Sequence, residues 1–157
     1  MLEKDKLYIS FHRPKSIVGF LITLRTLGKY SHCELVYNDY VYLSNPGGVR
    51  IKPFVYKDNM DIYELDSHIE VPIVLEEFKK LKGKGYDYWA IFLAQLLELG
   101  IEHKDKYFCS ELCIHLINKG LDESLTYNLK TLKASDFSPV KLFKYLKFME
   151  LLGRKVE

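Results

Sequence analysis

Little in this chain of 157 residues is extreme, and each shortage excludes something. An excess of charge of one sign is nearly absent: 23 Lys/Arg stand against 21 Asp/Glu, a net charge of +2. That balance gives no electrostatic footprint for nucleic acid. No run of about 18 apolar residues occurs, which excludes a membrane-spanning helix. The first residues, Met1-Leu2-Glu3-Lys4-Asp5-Lys6, are charged and lack the apolar stretch of a signal peptide. Cysteine is scarce too. Three residues, an odd number without framework spacing, do not make a disulfide scaffold. Free thiols and a reducing, cytoplasmic setting are expected, of a cell or of a virus replicating in one. No repeat, low-complexity tract or long Pro/Gly/Ser linker divides the chain, so residues 1–157 read as one domain.

Aromatic residues, by contrast, are abundant: 12 Tyr and 9 Phe, enough to fill a core and line a groove. The stretch from Asn128 to Glu157 is the most basic, with seven Lys/Arg against three Asp/Glu. It reads first as the solvated face of a terminal helix, and otherwise as weak steering of an acidic substrate or surface.

Leu7 to Phe11 reads as a first strand. Pro14 opens a helix in which Ile17, Phe20, Leu21, Leu24 and Leu27 recur at helical spacing, and Gly28 ends it. Ser31 to Tyr37 and Tyr40 to Ser44 form a hairpin about Asn38-Asp39. A turn at Asn45-Pro46-Gly47-Gly48 leads to a strand over Val49 to Pro53, and Asp61 to Leu65 is another. Helices follow: Val71 to Leu81, Tyr88 to Leu99, Cys109 to Asn118, and one capped by Ser138-Pro139 that runs to about Leu152. Segregated strands and helices predict an α+β domain, an antiparallel sheet packed against helices.

Two motifs could carry chemistry. In Tyr30-Ser31-His32-Cys33-Glu34-Leu35-Val36, strand alternation puts His32 and Glu34 on one face and Cys33 on the other. In Lys106-Tyr107-Phe108-Cys109-Ser110-Glu111-Leu112-Cys113, Cys109 falls at a helix start. The free N–H groups and positive dipole end there favour a thiolate and could steady an oxyanion. Taken singly, His32 could be a core histidine bonded to a carbonyl, and Cys109 a small core residue, as Cys113 is read to be. Together they form the minimum pair for covalent acyl transfer. A zinc site from His32, Cys33, Cys109 and Cys113 is disfavoured, because no Cys-x-x-Cys pair exists and His32 and Cys33 face opposite ways. Neither metal nor cofactor is expected.

The Ser-His-x-x-Leu-Val strand, the Gly-Val strand and the aromatic-Cys-Ser-Glu-Leu helix start resemble the circularly permuted NlpC/P60 proteins. These include the YiiX/YebB-like group and small phage-encoded relatives. The likeness spans about Tyr8 to Leu146, with histidine before cysteine, and Lys84-Gly85-Tyr86-Asp87-Tyr88 resembles the family's Tyr-Asp segment before a helix. It implies a papain-like fold and a cysteine hydrolase, an amidase or peptidase with Cys109 as nucleophile and His32 as base. A peptide, peptidoglycan-like or acyl substrate is implied. The wider superfamily also implies a lipid acyltransferase or thioesterase as an alternative, and an inactive binding or virion-associated module is another. Many relatives carry a third polar residue on the strand after the His strand. Ser44 is near the matching position and is slightly preferred to Glu34, since side chains two apart on a strand project in parallel. Tyr30 is a candidate for the oxyanion region or a packed tyrosine. Glu111 is read as a partner of the helix start or of a nearby cation, Asp87 as an N-cap, and His12, His68, His103 and His115 as surface or core.

Overall fold

A computed structural model describes residues 2–45, 47–84, 109–121, 134 and 137–156. It is a mixed α+β structure with one six-stranded antiparallel sheet. The strands are β1 (Leu7–His12), β2 (His32–Tyr37), β3 (Tyr40–Asn45), β4 (Gly48–Pro53), β5 (Met60–Leu65) and β6 (Leu152–Val156). Their order is β4-β3-β2-β1-β5-β6. The four helices among the described residues are α1 (Ile17–Arg25), α2 (Val71–Leu81), α3 (Cys109–Gly120) and α4 (Pro139–Phe148). None is long and apolar enough to cross a membrane.

The hairpin forms as its residues dictate. Asn38 and Asp39 both take positive φ, 44° and 63°. These residue types tolerate that conformation, and a turn of this hand matches the twist of the flanking strands. β1 lies between β2 and β5 and is buried along its whole length. Its Ile9 and Phe11 join Cys33 and Leu35 of β2 in the core under the helices. Tyr8 and Val36 join Val41, Leu43, Met60 and Ile62 in a second cluster. α2 brings Val74, Phe78 and Leu81 into the main core, and α3 brings Leu112, Cys113, Leu116 and Ile117. Each such large side chain stabilises the fold by about 1.5–3 kcal/mol on burial. The α3 C-terminus meets α2 closely at Gly120, where a Cβ would come within 2.6 Å of Val74.

Two local expectations change. α1 begins at Ile17, not Pro14, because the Ser16 hydroxyl accepts the Gly19 N–H at 3.1 Å and supplies the N-cap. Its apolar stripe does not enter the core. Its buried residues are Gly19 and Thr23, while Ile17, Phe20, Leu24 and Leu27 are exposed. The last helix stops at Phe148, four residues short of Leu152. Glu150 turns the chain with φ 58°, and Leu152–Val156 leaves as β6 to pair with β5. The predicted helix over Tyr88 to Leu99 lies outside the described residues.

Candidate active site

β1 and β2 pair along their full lengths, ending with His12 opposite His32. β2 and β3 pair only from Leu35 to Tyr37, while β3 runs on, paired with β4 on its other edge, as far as Asn45. In an antiparallel ladder, alternate residues turn their backbone groups toward the same neighbour. The hairpin directs Tyr37 and Leu35 toward β3, so Cys33 points the same way, past the end of that pairing. Its N–H donates there to the sulfur of Cys109, the first residue of α3. The α3 start thus occupies the margin of β2, with the helix packed on both β2 and β3.

This placement explains how two residues on opposite strand faces reach one sulfur. Cys33 lies in the helix-side core and its thiol hydrogen-bonds Cys109, while the His32 imidazole also hydrogen-bonds Cys109. The Cys33 hydrogen bond, then the His32 charge and hydrogen bond, and then the Cys33 N–H favour the thiolate. Against opposing burial they hold Cys109 well below the usual thiol range. Burial alone would lower His32. The Cys109 charge and hydrogen bond, followed by Glu34, outweigh it and push His32 up to about 10. Both shifts favour the thiolate–imidazolium form of the pair. Cys33 is pushed up by its burial and by Cys109 and Cys113, so it remains a thiol. Cys109 is 7% exposed, whereas the His32 side chain keeps 26% of its surface open to solvent.

Behind His32 stands a second histidine. Glu34 meets His32 Nε2 through Oε2 at 3.4 Å and His12 Nε2 through Oε1 at 3.1 Å. The Ser10 hydroxyl lies 3.2 Å from the same His12 nitrogen. Burial works against the Glu34 charge, but His12 and then His32 hold its carboxyl well below the ordinary range. The parallel-projection argument against Glu34 therefore does not hold at this strand end. Ser44 is fully buried on β3, in register with Val49 of β4 and beyond the β2–β3 pairing. His12 had no partner motif in the sequence. Its signal was indirect: it ends β1 as His32 begins β2.

The remaining candidates separate from this site. The Tyr30 hydroxyl donates to Asp61 at 2.7 Å, which commits it away from an oxyanion, and burial pushes the phenol up. Glu111 lies in the first turn of α3. His115 joins Glu77 of α2 at 2.9 Å, and exposed His68 joins Asp66. Tyr86, Asp87 and His103 lie outside the described residues. Among the described residues, no group of three or more His, Cys, Asp or Glu is arranged to hold a metal ion. The chain matches no protein-family model and no curated protein sequence.

Proposed function

We propose that this chain is a cysteine hydrolase, of the permuted NlpC/P60 type that its motifs resemble, acting on an amide or other acyl bond. The observation that carries the reading is the hydrogen-bonded pair of Cys109 at a helix start and His32 at a strand start, with the thiol depressed and the imidazole raised. Such a pair supplies a nucleophile and a proton donor together.

The reaction runs as follows. The Cys109 thiolate attacks the substrate carbonyl carbon, an S–C bond forms, and the π pair moves to oxygen. N–H groups at the α3 start steady that oxyanion. The tetrahedral adduct collapses to a thioester as His32 gives its proton to the leaving amine or alkoxide. Neutral His32 then takes a proton from water, whose oxygen attacks the thioester, and the thiolate departs with the acid product. Glu34 orients the imidazole and favours its charged form, as a carboxylate can and a serine cannot. The candidate substrates remain a peptide, a peptidoglycan-like amide or an acyl ester.

The test is iodoacetamide labelling against pH, read at each cysteine by mass spectrometry in the wild type and His32→Ala. The reading requires Cys109 to label well below the free-thiol pKa of about 8.5, ahead of Cys33 and Cys113, and to lose that lead without His32. Equal, slow labelling of all three in the native protein, with rapid labelling in denaturant that leaves Cys109 no lead, rejects the dyad.

A further inference from the structure

α1, IVGFLITLR, is apolar almost all round, yet its large side chains turn outward and its small ones inward. Ile17, Phe20, Leu24 and Leu27 are 81%, 59%, 61% and 86% exposed, and Leu21 borders them at 36%. Helical spacing places Ile17, Phe20 and Leu24 along one stripe, and Leu27 follows just past the helix, where the chain turns with φ 48°. The orientation is built in. The inner contacts are made by small residues, with Gly19 so close to Pro14 and Ser31 that a Cβ would lie 3.1 Å from either. Just past the helix, Gly28 meets Val140 at a distance that admits no side chain. A packed core would not leave four large apolar residues outside while burying a glycine and a threonine.

Cations outnumber carboxylates around this stripe. From Leu7 to Cys33 there are four Lys/Arg and no Asp or Glu. Arg13 and Lys29, at the two ends of the α1 segment, meet at Asp61, and Lys155 of β6 joins them. Lys15 pairs with Asp58. Two carboxylates therefore serve four cations, and Asp61 is only 3% exposed while its three cations lie at the surface. A second copy of this chain would bring two such cationic rims together. An anionic bilayer complements them and accepts a protruding apolar helix without needing a groove.

We propose that the outer face of α1 is a membrane-docking surface, seating the chain on an anionic bilayer with its apolar side chains in the headgroup boundary and the flanking cations among lipid phosphates. α1 is the excursion between His12, which ends β1, and His32, which begins β2. Docking therefore sets the His32 end of the sheet beside the lipid surface. The surface does not depend on the thiol chemistry.

The experiment is co-sedimentation of the full chain with phosphatidylcholine vesicles, with and without phosphatidylglycerol at about one lipid in three, across a salt series. The wild type should sediment with the anionic vesicles, and less so as salt rises. Phe20→Asp with Leu24→Asp should lower partitioning about tenfold or more. Ile17→Asp with Leu27→Asp, at the most exposed positions, should do the same and serves if the first pair disturbs folding. Cys109→Ala should bind as the wild type, which separates this proposal from the enzymatic one. Failure of the wild type to sediment with anionic vesicles, or undiminished binding by both folded double variants, overturns the proposal. So does a vesicle-free dimer that either double variant converts to monomer, since the face would then belong to a second copy.

Discussion

His12 stands directly opposite His32 across the β1–β2 ladder, with ring centroids 5.2 Å apart in an edge-on arrangement. Glu34 bonds both rings, so one buried carboxylate links a solvent-touching imidazole to a buried one. A buried carboxylate with two imidazole partners keeps its charge more readily than one with a single partner. The support it gives His32 is therefore partly a property of His12.

Glu34→Gln removes the charge and keeps the shape. Under the dyad reading, the alkaline limb of activity lies near the His32 value of about 10. It should move to lower pH in the variant, and kcat/KM should fall on the order of 10²-fold. The pH–rate profile with an activated amide or ester substrate checks this. An alkaline limb unmoved by the substitution would show that Glu34 does not support the imidazolium.

The same groups set two edges of stability. His32 is raised in the folded state, so its contribution is complete below its unfolded value of about 6.5 and fades as pH rises through about 10. Glu34 is lowered, so its contribution is complete above its ordinary value of 4.5 and is lost as pH falls below it. His12→Ala should narrow the acid side and cost about 1–3 kcal/mol, by leaving the carboxylate short of a partner. Urea titrations at neutral and acid pH measure both effects.

Cys33 is the leading cause of the depressed Cys109 thiol. Cys33→Ala should shift the labelling curve of Cys109 to higher pH, and Cys33→Ser should restore part of the shift, because a hydroxyl still donates. Cys113→Ser, one turn further along α3, should retain turnover. Loss of turnover in a folded Cys113→Ser variant would point to a different nucleophile or to a metal.

Asp61 is held down to about 2, against its own burial, by Lys155, Tyr30 and Lys29. Asp61→Asn keeps an acceptor for Tyr30 but leaves three surface cations without their shared counter-charge. A loss of about 1–3 kcal/mol is expected, smaller at high salt as the cations are screened. Thermal unfolding at two salt concentrations would reveal it, and an equal loss at both would remove the electrostatic explanation.

Gly28→Ala places a methyl 2.4 Å from Val140 Cγ1, where the end of α1 meets the start of α4. It should cost about 1–3 kcal/mol. A neutral effect by chemical denaturation would mean that this junction yields readily.

Much of the sheet was legible because strand alternation and turn residues agree locally. Asn38-Asp39 needed only its residue types to announce a hairpin. β6 was not, since Leu151-Leu152 continues the apolar pattern of the preceding helix and only the turn at Glu150 diverts it. The stripe on α1 was legible, but periodicity reports that a face is apolar and not whether anything covers it. Cys109 and His32 were readable as residue types suited to one reaction. Their meeting depends on β3 leaving β2 at Leu35, a register fact with no signature at either motif. Ideal strand geometry gives Glu34 no contact with His32, and the two meet only because side chains converge at this strand end.

β6 also bears on how the chain comes off the ribosome. It follows every other described element in sequence, yet it occupies the sheet position beside β5 and carries Lys155 to Asp61. Until those residues emerge, β5 presents an open edge, and the buried aspartate lacks one of its cations. Final closure of the sheet therefore waits for the synthesis of every described element that lies between β5 and β6 in sequence.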